Sequence, residues 1–253
     1  MSKIVILVKE FREIFKSYKL IVLPLLFVTV GVLSPVMAKM MPQILKSIMG
    51  AGAISLPTPG IRDSYEQLLK NMNQTLVLVL ILSTMNVVVE EKLNGSLILV
   101  LTKPISRANY ILSKFISQLF LVLISLGAGA AVFAYYSSVI FNRFDYYEFI
   151  VAMFFYFLYV MCFVSMAIFF STISPNVTIS AILSFVGYTL INLTSFVAEK
   201  IAYFTPAALS SQESVVLSRG VYALESYNPA YSSIILIAVF LIMSILSLRY
   251  QEF

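Results

Sequence analysis

"FIVAMFFYFLYVMCFVSMAIFFSTISPNVTISAILSFVGYTLINLTSFVA", residues 149–198, is a run of fifty residues without one charged side chain. As a single helix it would be about 75 Å long at about 1.5 Å per residue, against a bilayer hydrocarbon core of about 30 Å. The run must therefore fold back on itself. "STISPNV", residues 171–177, supplies the break. Pro175 has no N–H to donate, and it disfavours the α conformation at Ser174. Two spanning helices joined by a very tight loop follow, at 149–172 and 177–197.

The rest of the chain agrees with a membrane setting. Of 253 residues, 60% are hydrophobic and 11% charged, with a mean hydropathy of +0.95. Soluble domains carry about 25% charged residues. Further uncharged or nearly uncharged stretches of spanning length lie at about 20–38, 73–89, 110–136 and 230–248. The expectation is an all-α integral membrane protein: one transmembrane domain over 1–253, with six spans. Segments 39–72, 137–148 and 198–229 are then extracellular. The first and last of these are too long for structureless loops, so short interfacial helices are expected in both, the last partly re-entrant. "VMA" at 36–38 resembles a cleavage site, but the nineteen residues before the first span hold both acids and bases and are amphipathic. That is unlike a signal n-region, so the first span is read as retained.

Orientation follows from lysine and arginine near the span ends. With a cytoplasmic N-terminus, ten lie inside (Lys3, Lys9, Arg12, Lys16, Lys19, Lys92, Lys103, Arg107, Lys114 and Arg249) and seven outside. The ten crowd the span ends, where the rule has force. The expected location is the plasma membrane of a bacterial cell, multi-pass, with both termini cytoplasmic.

Composition also excludes chemistry. There is no histidine and a single cysteine, Cys162, inside an apolar run. A Ser-His or Cys-His pair has no base, a His/Cys zinc site has too few ligands, and no intrachain disulfide can form. A paired-aspartate protease fails as well, because the two aspartates, Asp63 and Asp145, fall outside the spans. No aromatic-basic patch suggests nucleic acid. None of the nine glycines begins a G-x-x-x-x-G-K-[ST] phosphate loop, so the chain is expected to be no ATPase and to hold no cofactor or metal.

Two short polar pieces remain. Residues 1–19 place Ile4, Leu7, Val8, Phe11, Ile14, Phe15 and Tyr18 at helical spacing, with Lys9, Glu10, Arg12, Glu13, Lys16 and Lys19 on the remaining face. Such a helix lies along the membrane surface, Phe11 and Phe15 in the apolar layer and Lys3, Lys9, Arg12 and Lys16 toward anionic headgroups. It is either a plain lipid anchor or an anchor that also touches a cytoplasmic partner. "EEKLNGSLILVLTKPISRANYILSK", residues 90–114, is the one mid-chain stretch where charge gathers. Asn94-Gly95 signals a turn, Ser96 can cap a helix, and Pro104 ends it after about two turns, roughly 10 Å. Ser106 then caps the next helix. Something must cover Leu97, Ile98, Leu99, Val100 and Leu101: lipid and neighbouring spans, or a docked partner.

This stretch resembles the permease subunits of ABC-2 type transporters. Their pattern of Glu, Gly-Thr/Ser-Leu, Leu, Pro-Ile/Val-Ser-Arg and a Lys opening span three falls on Glu90 or Glu91, Gly95, Ser96, Leu97, Leu101, Pro104, Ile105, Ser106, Arg107 and Lys114. The resemblance implies a coupling helix within 95–106 that sits in a cleft of a separate ATP-binding subunit. It also implies a second, smaller contact at Thr172, Ser174, Pro175 and Asn176. The N-terminal helix is similar to the family's connecting helix. The implied partners are two ATP-binding subunits, which carry ATP and Mg2+, a second permease copy or paralogue, and the lipid bilayer. The implied activity is export.

The pathway is faintly marked. No span interior carries an ionisable residue that flags coupling, which disfavours a secondary transporter. Asn86, Gln118, Thr189 and Asn192 are polar within spans and serve either helix contacts or a path. "GAGA" at 127–130 permits close helix approach, as at a dimer interface. A lipophilic or amphipathic substrate, such as a peptide toxin, antimicrobial peptide or drug, suits an uncharged interior, and a lipid-linked sugar is the alternative. A membrane adaptor that transports nothing is the rival reading.

Overall fold

A computed structural model describes residues 2–49, 58–102, 106–142, 144–197, 204–224 and 226–251, with positions 2–4, 46, 48, 49, 99–101 and 195–197 described by backbone alone. The described residues are helical and contain no strand. Among the described residues six helices are long and apolar enough to cross a membrane, and with its composition this makes the chain a multi-pass membrane protein.

The N-terminal helix α1 (Ser2–Lys16) leads through a turn into α2 (Lys19–Met49). The first span does not stop at residue 38. It continues to Met49 despite Pro24, Pro35 and Pro42, because an apolar setting offers no water to a broken backbone and so favours keeping the remaining helical hydrogen bonds. Hydroxyls elsewhere in the helix bond back to its own backbone, Thr29 to Leu25 O and Ser34 to Val30 O, each at 2.8 Å.

Span two likewise begins well before residue 73. Helix α3 (Ile61–Asn71) starts where the Gly60 N–H donates to the Asp63 carboxylate at 2.7 Å. It passes through a π-helical turn at Met72–Leu76 into α4 (Val77–Thr84). The widened turn is secured from outside: Tyr156 donates to Met72 O at 3.1 Å and Tyr188 to Asn73 O at 2.9 Å. The helix breaks again after Thr84 and restarts as α5 (Val89–Leu93). Segment 39–72, expected as an extracellular excursion, is therefore helical at 39–49 and 61–72 among its described residues.

Gly95, at φ +69°, turns the chain into α6 (Ser96–Leu101). Helix α7 (Arg107–Phe141) opens with Ser106 as N-cap, accepting from Asn109 N at 3.2 Å, as its sequence implies. It is followed by α8 (Tyr146–Ile173), which ends in extended Ser174 ahead of Pro175, and by α9 (Val177–Val197). Asn176 Oδ1 accepts from Ile179 N at 2.8 Å and so caps α9. The fold-back argued from the fifty-residue run is thus present, with its break at the expected proline. Helix α10 (Ala207–Arg219) and a 3-10 turn at Val221–Ala223 fill the described part of 198–229, and α11 (Asn228–Tyr250) is the last span.

Helix α8 is the centre. It is apolar on every face, and 78% of its spanning window is buried against 11% for α9 and 17% for α11. A helix hydrophobic all round belongs inside a bundle, and α11, α10, α9, α7 and α4 all pack on it. Helices α2 and α7 form the other large contact. There the backbones touch: a Cβ on Gly129 would stand 2.8 Å from Phe27 O, and one on Gly31 2.6 Å from Gly129 O. Of the small residues at 127–130, Gly129 therefore serves a crossing within the chain, while Gly127 meets nothing within 4 Å.

Candidate functional site

The charged residues that the sequence scatters over three elements meet at one end of the bundle, the end that carries α1. Glu91 on α5 is the hub. Its Oε1 accepts from Lys9 Nζ of α1 at 2.6 Å and from Lys114 Nζ of α7 at 2.7 Å, and its Oε2 accepts from the Tyr110 hydroxyl at 2.6 Å. Lys114, 3% exposed, also pairs with Glu10 Oε2 of α1 at 2.8 Å. Glu13 completes the group, 3.1 Å from Lys9 and 3.8 Å from Lys114. A lysine buried this deeply is tolerated only among such partners, since an unpaired buried charge is costly.

On α1, burial works against the Lys9 charge, yet the hydrogen bond it donates to Glu91 and the neighbouring Glu10 and Glu13 outweigh it and hold its pKa above the usual lysine value. Burial pushes the Glu10 carboxyl above the ordinary range, with Lys114 pulling it partly back. The Glu10, Glu13 and Glu91 carboxylates lie close enough to hold a metal ion. Here the Lys9 and Lys114 ammonium groups take up their lone pairs, so the arrangement is an ion-pair knot. A cavity of about 500 Å³ opens beside it, lined in part by Lys19, Asn86, Ser117 and Gln118.

The N-terminal helix is turned differently from the sequence expectation. Glu10, assigned to the polar face, is buried against Lys114, whereas Val5, Val8, Phe15 and Tyr18 are exposed. The apolar stripe is wide enough to face lipid and protein at once: Ile6 and Ile14 are buried, and Phe11 meets Phe120 edge-on at 5.0 Å. Phe15 also leans on Phe120, at 6.3 Å. Arg12 and Lys16 stay exposed, and the side chain of Lys3 lies outside the described residues.

The turn between spans two and three is clamped on its other side. The Ser171 hydroxyl of α8 accepts from both Val88 N and Val89 N at 3.0 Å, supplying from a neighbouring helix the cap that α5 lacks. Ser180 donates to Met85 O at 2.7 Å. Lys92 donates to Thr172 O at 2.8 Å and Ser174 O at 3.3 Å, joining this turn to the tight loop between α8 and α9. Thr172 O also accepts from Gln251, and Arg107 donates to Arg249 O at 2.6 Å, which brings the C-terminal end of α11 to the same place. Ser174 is buried; Pro175 and Asn176 are exposed.

Within the short helix, Leu97 is fully buried and Ile98 is 46% exposed. The Leu99 and Leu101 side chains and Pro104 lie outside the described residues. Ser96, expected as a cap, is instead the first residue of α6, and its hydroxyl donates back to Glu91 O at 3.3 Å. Glu90 is exposed and accepts from Asn86 at 2.8 Å.

Asn86 also receives Lys19 Nζ at 3.0 Å, and with Gln118 it stands at the α1 end. Thr189 donates to Phe185 O in its own helix, and Asn192 accepts from Tyr159 at 2.9 Å. Asn192 thus makes a contact between α8 and α9. Glu10, Glu13, Tyr110 and Ser171 went unremarked as site residues in the sequence. The available signal was Lys114, two turns into an apolar helix, where a lysine demands an acid partner.

Two comparisons bear on this geometry. A family model described as ABC-2 family transporter protein matches residues 4–252. The chain is also similar to a transmembrane protein of Bacillus subtilis (strain 168), YxlG, itself described as uncharacterized. The two are 28% identical over 224 residues, covering 85% of this chain and 84% of the relative.

Proposed function

Since this chain belongs to the ABC-2 family of transporter proteins, a membrane component and not itself an ATPase, we propose that it is the membrane-spanning subunit of an ABC exporter. It works as a dimer, driven by two separate ATP-binding subunits. The α1 end faces the cytoplasm, and both termini lie there. ATP and Mg2+ belong to the partner, which docks on the turn holding α6, with the loop at Thr172, Ser174, Pro175 and Asn176 and the outer face of α1 alongside.

One observation carries this reading: the α5–α6 turn is fastened to α1, α7, α8 and the loop into α9. Glu91 ties it to α1 and α7, Ser171 and Lys92 tie it to α8 and the loop into α9, and Leu97 is sunk among them. A push on α6 would therefore move the spans as packed bodies, because tightly packed interfaces shift between discrete arrangements. The exported molecule is lipophilic or amphipathic, in keeping with an interior of mostly apolar side chains.

The test is purification of the tagged chain from its native membrane in mild detergent, with ATP hydrolysis assayed on what accompanies it. Ile98→Asp places a charge on the exposed face of α6 and leaves buried Leu97 alone. Retention of an ATPase by the native chain and its loss with Ile98→Asp, at unchanged melting temperature, is the expected result. A stable, crosslinked preparation with no ATPase would overturn the proposal and favour a membrane adaptor.

A further inference from the structure

The interior is not free of ionisable groups, as the spans alone suggest. Helix α10, between spans five and six in sequence, folds into the bundle against α8, α3 and α9, and it brings Glu213 with it at 0% exposure. The surroundings define the depth. Glu213 Oε2 accepts from Asn73 Nδ2 at 3.3 Å, within the π turn of span two. Tyr156 and Tyr159 of α8 and Tyr188 of α9 surround the same place. Asn73 lies twelve residues, about 18 Å, along the helix that starts at Ile61, and Tyr156 ten residues, about 15 Å, along α8. That is well inside the bundle.

Among the described residues the carboxyl has no counter-charge: no lysine or arginine forms an ion pair with Glu213, and the ion pairs all gather at the α1 end. The groups facing it are a neutral amide and phenols. Among the described residues its second oxygen, Oε1, has no hydrogen-bond partner, and neither does Asn73 Oδ1. A bare carboxylate left so would be very costly. A protonated one repairs the defect, because its O–H supplies the donor that the pair of unsatisfied oxygens lacks.

We propose that Glu213 is a proton-binding site, and that its neutral carboxyl latches α10 against the π turn of span two at mid-bundle. Loss of the proton leaves an unpaired charge among neutral side chains and drives α10 out toward water. The ligand is the proton itself, and the device is independent of how the chain is powered. Burial pushes the Glu213 carboxyl up to about 8, with the Asn73 hydrogen bond opposing in part.

The sign follows from linkage. A folded-state pKa above the unfolded one contributes stability that is complete below the ordinary carboxylate range and is lost as pH rises through about 8. The experiment uses the whole chain in detergent, with thermal melts and carboxyl infrared spectra between acid and alkaline pH. Expected are a protonated-carboxyl carbonyl band that disappears near pH 8 in the native protein and is missing in Glu213→Gln, and a melting temperature that falls with pH in the native protein but stays level in the variant. If Glu213→Gln does not fold, Glu213→Asp should keep the band and move its midpoint. A native spectrum with no carboxyl titrating above neutrality would overturn the proposal. So would superimposable pH profiles for native and variant. Repeating the melts with sodium in place of choline separates a second source of neutralisation: stabilisation by sodium with no carboxyl band would show a cation site and refute the proton latch.

Discussion

Replacing Lys114 by methionine tests the ion-pair knot directly. The side chain is 3% exposed and holds Glu91 at 2.7 Å and Glu10 at 2.8 Å. Methionine keeps length and apolar volume but removes the charge, so the buried Glu10 and the partly buried Glu91 carboxylates face one another across the gap. Removing one partner of a buried pair costs about 3–5 kcal/mol, since the remaining charge is left uncompensated. Lys9 still reaches Glu91 at 2.6 Å and Glu10 at 3.4 Å, which argues for the low end, about 3 kcal/mol. At about 2–4 °C per kcal/mol for a chain of this length, the melting temperature in detergent should fall by roughly 6–12 °C. The partner variant Glu10→Gln, combined with Lys114→Met, should destabilise by less than the sum of the two, with a coupling of about 1–3 kcal/mol. Limited proteolysis reads the same event locally, through earlier cleavage within 1–19. A Lys114→Met protein that melts within about 2 °C of the native one, with α1 equally protected, would refute the claim that this knot fastens α1 to the spans.

Gly129→Ala should destabilise by about 1–3 kcal/mol, because its Cβ would meet the Phe27 carbonyl at 2.8 Å and backbone cannot swing aside. Gly127→Ala, two residues away with nothing within 4 Å, should be neutral or gain up to about 1 kcal/mol of helix propensity; equal effects in thermal melts would show that α2 and α7 do not cross at Gly129. Ser171→Ala strands the Val88 and Val89 N–H groups, at a cost of about 1–3 kcal/mol. Amide hydrogen exchange should speed up at 88–92 while the middle of α8 stays protected. Unchanged exchange would mean that these N–H groups have another acceptor.

Much of the architecture is readable along the chain because a bilayer makes simple demands. Each span must be long, apolar and internally hydrogen-bonded, so a fifty-residue uncharged run interrupted by Pro175 can only be two helices. The turn at Gly95, the cap at Ser106 and the amphipathic N-terminal stretch are local events, decided by neighbours in sequence. Span lengths were less legible. Hydropathy marks where lipid contact is obligatory, but α2 runs on to Met49 and span two starts at Ile61 because other helices cover those turns.

What the linear order could not contain is which charges meet. Glu10 was sorted to the water face by periodicity, yet it faces Lys114 across more than a hundred residues, because a lysine buried by the packing of α7 selects whichever acid can reach it. Glu213 stood in a stretch read as external, and only the docking of α10 on α8 carries it to mid-bundle. Periodicity reports a helix's own faces, whereas the dielectric around a side chain is set by what packs over it. Burial, and the charge state that burial imposes, belong to the tertiary structure alone.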